Sequence, residues 1–296
     1  MNIFRLFLTD ELLDVVVQET NRYAEEAPQR PLQRNSRYHY WQETSRAEMA
    51  VFLALKLAMG ITVQPLVADH WRTDWLFETP GFAKVMSRRR FQLLSSCLHF
   101  VNNATAVRDE HGRHVDPLFK VRPVLSRLTR SFRSLYQPRQ QVAIDEQMIA
   151  FKGRLSFKQY LPKKPTKWGL KAFVLAESAT GYVFEYDVYT GKHRTADSSD
   201  EDEDDEADAT GTKGVVRKLV RHLGAGHTVF MDNFYSSPKL FQHLASSQRM
   251  ASVGTVRINR RGLPQAVKQV AKGNPPRFGE RAHSWPSRAW KISSRQ

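Results

Sequence analysis

The sequence has a single cysteine, Cys97, among 296 residues. One thiol excludes a disulfide framework and any cysteine-based zinc site within the chain, and it fits a reducing compartment better than secretion. Long apolar runs are missing too. None reaches the ~18 residues that a membrane-spanning helix needs, and the opening MNIFRLFLTDELLD meets acidic side chains too early for a secretory leader. Acids are outnumbered, 30 Asp+Glu against 45 Lys+Arg, for a formal charge of +15. Nine of those acids sit in one tract, residues 197–208 (DSSDEDEDDEAD), so the rest of the chain carries 45 bases against 21 acids. A body this cationic points to a polyanion, nucleic acid first, with ordinary colloidal solubility as the plainer alternative.

The first 137 residues carry helical periodicity. Thr9 or Asp10 can cap a segment with Leu12, Leu13, Val16 and Val17 on one face. Ser45 and Glu48 form a capping-box pattern ahead of AVFLALKLAMG, a helix apolar enough to be expected buried between others. Ser87 opens a helix whose first turn holds Arg88, Arg89 and Arg90, three charges that oppose the helix dipole and call for a phosphate or a solvated face. Pro123 starts another, with Arg127, Arg130 and Arg133 along one side.

After Pro138 the period shortens. QVAIDEQMIAF, LKAFVLAES and GYVFEYDVYTG read as three strands, the last two joined by a turn over residues 178–181. The acidic tract is too poor in apolar residues to pack and is expected to be an unfolded loop, with Ser198 and Ser199 as possible phosphorylation sites. GVVRKLVRHLG reads as a helix, HTVFMDNF as a strand, Ser237-Pro238 as a helix start and MASVGTVR as a last strand. Three antiparallel strands followed by crossover helices and parallel strands is the order of a ribonuclease H-like core.

Two carboxylates stand out in this order: Asp145 inside the first strand and Asp232 at the end of the fourth. In that topology the two strands are neighbours. A carboxylate pair is costly with no cation between its members and favourable with magnesium, which takes a few carboxylates plus phosphate oxygens. That is the requirement of two-metal phosphoryl transfer. The plainer alternative has Asp145 starting a turn with Glu146 and Asp232 capping the next helix. Histidines 222, 227 and 243 show no zinc-ligand spacing, and Cys97 lies on the apolar side of its helix.

The stretch IDEQMIAFKGRLSFKQYLPKKPTKWGLKAFVLAESATGYVFEYDVYTGK resembles the piggyBac transposases and the host proteins derived from them, as do HTVFMDNFYSSPKLF and VGTVRINRRGLP. The likeness continues upstream through ETNRY, DHWRTD, FAKVMSRRRFQLLSSCLHFVNN and PLFKVRPVL, and covers roughly residues 4–265 in family order. It implies an α+β, α/β chain: a helical dimerisation and DNA-binding region over 1–137, then a ribonuclease H-like mixed sheet with flanking helices over 138–257, containing an acidic loop at 194–213. Residues 258–296 would be the start of an insertion domain and a divergent basic tail. The family's activity is magnesium-dependent cleavage of double-stranded DNA and its transfer at TTAA sites, through an acidic triad on a DDE-type core.

By that resemblance Asp145 of the IDE motif and Asp232 of the DNF motif match the first two catalytic, metal-holding aspartates. The third has no counterpart, because no aspartate follows Asp232 and Glu280 is the only later acid. The tail GNPPRFGERAHSWPSRAWKISSRQ departs from the family, implying a shortened member, incomplete at the C-terminus, with impaired cleavage. A nuclear location, a homodimer and no small-molecule or membrane partner follow from the same likeness.

DNA contacts are expected from Lys152, Arg154, Lys158, Lys163, Lys164, Lys167 and Lys171, interleaved with Phe157, Tyr160 and Trp168, and from Arg257, Arg260 and Arg261. Cations suit phosphates and aromatics suit bases and sugars; a soluble basic loop is the alternative. The competing function is a domesticated, non-enzymatic DNA-binding or chromatin-interacting regulator, with the acidic loop a candidate site for basic partners such as histones.

Overall fold

The computed structural model describes residues 3–26, 32, 34, 36–162, 164–191, 211–265 and 268. The whole acidic tract of residues 197–208, with Ser198 and Ser199, and Lys163, Glu280 and the basic tail of residues 273–296 lie outside the described residues. The chain divides into two units, Met1–Ser131 and Phe132–Gln296. No helix among the described residues is long and apolar enough to cross a membrane.

The first unit is helical: α1 (Ile3–Phe7), α2 (Asp10–Glu26), α3 (Arg46–Ile61), α4 (Pro80–Val85), α5 (Arg88–Cys97) and most of α6 (Arg122–Leu135), with short 3₁₀ turns at Arg37–Tyr40, Val67–Trp71 and Asn103–Thr105. Leu12, Leu13 and Val16 of α2 pack with Met49, Phe52 and Leu55 of α3 and with Phe91 and Leu94 of α5. Helix α3 corrects the expectation of burial on all sides: Leu57 and Ile61 are exposed. Its start is capped by Ser45, whose hydroxyl accepts from the Glu48 amide at 3.3 Å. The Glu48 carboxylate accepts from the Thr44 hydroxyl and from the Arg90 guanidinium at 2.7 and 2.6 Å. The three arginines at the start of α5 are thereby accounted for in part without phosphate. Arg90 is neutralised by Glu48, and Arg89 lies 3.2 Å from the centre of the Tyr40 ring.

The second unit holds a six-stranded sheet of β1 (Gln141–Ala150), β2 (Gln159–Tyr160), β3 (Trp168–Glu177), β4 (Val183–Val188), β5 (Thr228–Met231) and β6 (Ala251–Gly254). Its main path runs β4-β3-β1-β5-β6, with the short β2 also on β3. The pairs β4/β3 and β3/β1 are antiparallel; β1/β5 and β5/β6 are parallel. This is the ribonuclease H-like order expected from the sequence. Helices α7 (Thr212–Val220) and α8 (Pro238–Gln248) make the crossovers. They place Val216, Leu219, Leu240 and Leu244 in one core with Val142, Ile144, Leu175, Val229 and Met231.

Local chemistry explains the joints. Ser237 caps α8 by accepting from the Leu240 amide, with Pro238 in the first turn. The β3–β4 turn needs Gly181, which has a φ of 73°. Beside it the Glu177 carboxylate, fully enclosed, accepts from the Tyr136 and Thr180 hydroxyls at 2.5 Å each and from the Arg139 amide at 3.1 Å. Cys97 is buried and packs with Ala24 and Leu93.

Candidate metal and nucleic-acid site

Strand alternation decides where the acids of β1 point. Val142 and Ile144 enter the core, so Glu146 shares their side and Asp145 takes the opposite one. Ile144 pairs with Met231 across the parallel β1/β5 ladder, also core-facing. Asp145 and Asp232 therefore each follow a partner of that pair, and both are exposed. Asp145 lies inside β1 and starts no turn. Asp232 caps the turn after β5, its Oδ1 accepting from the Phe234 amide at 2.9 Å, whereas Ser237 caps the helix.

Two hard oxygen donors open to solvent suit a magnesium ion that fills its remaining positions with water and phosphate. The described residues bring no third acid to them: no group of three or more metal-ligating side chains occurs among these residues. Glu146 does not supply one, since it lies on the core side and accepts from Lys171 Nζ at 3.3 Å.

The turn after Asp232 is held closely. The Asp232 carbonyl accepts from the Ser236 amide and hydroxyl at 3.1 and 2.8 Å. Gly254 runs so near β5 that a Cβ there would lie 2.4 Å from both the Met231 carbonyl oxygen and Ser236 Oγ. Tyr235 is wholly buried, its hydroxyl unpartnered at normal hydrogen-bond geometry. Desolvation, then the nearby charge of Glu146, pushes its titration far above the ordinary tyrosine range, with Asp145 and Asp232 adding to the effect.

The basic residues divide by what they touch. Lys152, Arg154 and Lys167 are exposed, and Lys164 is half-buried, on the segment joining β1 to β3. On that segment the rings of Trp168 and Tyr160, cross-strand partners, meet at a tilt of 37° with centres 4.6 Å apart, and Lys158 Nζ lies 5.3 Å from the Trp168 ring while donating to the Gly153 carbonyl at 2.9 Å. Lys171 turns inward to Glu146 instead. Arg260 donates to the carbonyls of Asn233 and Phe234 at 3.2 and 2.8 Å, and Arg257 to Asn233 Oδ1 at 3.4 Å, so both arginines tether the turn beyond Asp232. Arg261 is exposed. Glu146, Tyr235 and Gly254 escaped the sequence reading. Strand alternation alone could have found Glu146, because an acid in a core-facing position demands a partner.

Comparison with known proteins defines the class. A family model described as "Transposase IS4" matches residues 1–283. The chain belongs to this family, the DDE transposases of the piggyBac type. It is 27% identical over 264 residues to the human (Homo sapiens) piggyBac transposable element-derived protein 3, covering 86% of this chain and 39% of that protein. The human piggyBac transposable element-derived protein 5 is 26% identical over 293 residues, 95% of this chain and 52% of the relative. A cryo-EM structure of the piggyBac transposase synaptic complex with hairpin DNA matches with a TM-score of 0.70 and 27% identity, over 91% of this chain and 52% of that one. The chain thus spans about half or less of the length of these relatives.

Proposed function

We propose that this chain is a transposase-derived DNA-binding protein in which Asp145 and Asp232 hold magnesium, related to enzymes that cleave and transfer DNA at TTAA sites. The observation that supports this reading is the β1/β5 register, in which Asp145 and Asp232, both exposed, each follow one member of the Ile144–Met231 pair. When bound there, magnesium would supply charge stabilisation to phosphate oxygens. This chain's residues would do the rest. Lys152, Arg154, Lys164 and Lys167 neutralise backbone phosphates, and Trp168 with Tyr160 offers an apolar face to sugar or base.

The helical unit is proposed to contribute a homodimer contact. Leu57, Ile61, Leu66, Trp75 and Leu76 are exposed on it and are the apolar side chains such a contact would use. Sedimentation of the chain checks this: dimers are expected, and monomers at all concentrations would contradict it. Action on DNA also implies a nuclear location, which imaging of the tagged chain tests.

The test of the binding reading is fluorescence anisotropy on duplex DNA across salt concentrations. Steeply salt-dependent binding that survives D145A and D232A, but gains from magnesium only in the wild type, is expected. Binding indifferent to salt would contradict it.

A further inference from the structure

Lys171 lies in the middle of the basic segment, yet its surroundings differ from those of its neighbours. Only 16% of its side chain is exposed, and its ammonium donates to Glu146, whose side chain is 13% exposed. The same ammonium lies 4.8 Å from the centre of the Phe173 ring and 4.7 Å from that of Phe234. Phe234 stands edge-on to Tyr235 at 5.0 Å, and Tyr235 in turn meets Phe173 at 6.2 Å. These contacts involve three separate segments. Glu146 follows Asp145 on β1, Phe234 and Tyr235 belong to the turn after Asp232, and Lys171 and Phe173 come from β3.

A cation enclosed by one carboxylate and two ring faces is held in place more firmly than a surface lysine, because each contact is stronger away from water. We propose that Lys171 is a positioning residue: it clamps the strand bearing Asp145 to the turn bearing Asp232 and so fixes the separation of the two carboxylates. Its charge serves this internal task rather than a DNA phosphate. Partners behind a metal ligand commonly govern its affinity through orientation alone. The consequence for cation binding rests on the reading of Asp145 and Asp232 as metal ligands; the clamp itself does not.

The experiment uses the full chain and two measurements, amide hydrogen exchange and titration with Mn²⁺ followed by electron paramagnetic resonance. Lys171→Met keeps the apolar stem and removes the charge. It should speed exchange of the Phe234 and Ser236 amides about tenfold while leaving the centre of β3 unchanged, and weaken Mn²⁺ binding by about tenfold. Lys171→Arg should restore both. Glu146→Gln, which retains shape, should behave as Lys171→Met does and replaces it if that variant fails to fold.

Unchanged exchange at Phe234 and Ser236 overturns the clamp, and so does a uniform rise across the sheet, which would mean general stabilisation only. If exchange rises locally but D145N/D232N leaves Mn²⁺ binding untouched, the cation reading fails while the clamp stands. If D145N/D232N abolishes Mn²⁺ binding but Lys171→Met does not alter it, the positioning role is refuted.

Discussion

Ile144 on β1 and Met231 on β5 are register partners in a parallel ladder, and the carboxylates of Asp145 and Asp232 each follow one of them. A slip of one residue would send either acid into the core with Leu175 and Tyr235. The pairing therefore fixes the positions of the two acids as firmly as it fixes the core. Magnesium should raise the melting midpoint of the wild-type chain by mass action, and the rise should vanish in D145N and in D232N. Differential scanning fluorimetry with and without the ion reads this directly.

Gly254 is the second constraint on Asp232. A methyl group at this position would collide with the Met231 carbonyl, which is backbone and cannot swing aside. Gly254→Ala should cost about 1–3 kcal/mol of stability. Gly224→Ala, where nothing lies within 4 Å, is the control and should cost little. Urea unfolding followed by fluorescence distinguishes the two.

The helical unit should show its own dependence on acid. Hydrogen bonds from Arg90 hold the Glu48 carboxyl below its ordinary value of 4.5. The unfolded chain then binds the proton at higher pH than the folded one, so the pair's contribution is complete above about 4.5 and is lost as pH falls through the lowered folded value. Glu48→Gln should destabilise the unit by about 1 kcal/mol at neutral pH and flatten its acid dependence. Circular dichroism melts between pH 3 and pH 7, a window set by the carboxylate range, would detect both.

The basic segment should separate into two groups by salt dependence. Replacing Lys152, Arg154, Lys164 or Lys167 with Gln should reduce the slope of log binding constant against log salt by about 0.9 for each lost duplex phosphate contact. Lys171→Met should leave that slope unchanged. Anisotropy titrations at several potassium chloride concentrations make the comparison.

The strands and helices of the second unit could be read from sequence because each has a clean period and a clear stop, such as Ser237-Pro238 before α8. The positions of Asp145 and Asp232, inside one apolar strand and at the end of another, were legible for the same reason. The ion pair of Lys171 with Glu146 was not legible, because spacing shows a residue's neighbours in the chain and conceals the face it occupies. That contact becomes visible only once β3 is paired with β1 in register, with Phe173 opposite Glu146. Arg90 likewise looked like one of three free cations, since its partner Glu48 lies 42 residues away. The two-residue strand β2 has too few residues to show any period.

The most direct measurement is a gel shift on TTAA-flanked transposon ends, run with and without magnesium. The wild-type chain should retain the DNA, D145A should retain it as well, and magnesium should strengthen retention by the wild-type chain alone. No retention by the wild-type chain, or the same gain from magnesium in D145A, would contradict the account of a DNA-binding surface with Asp145 as a metal ligand.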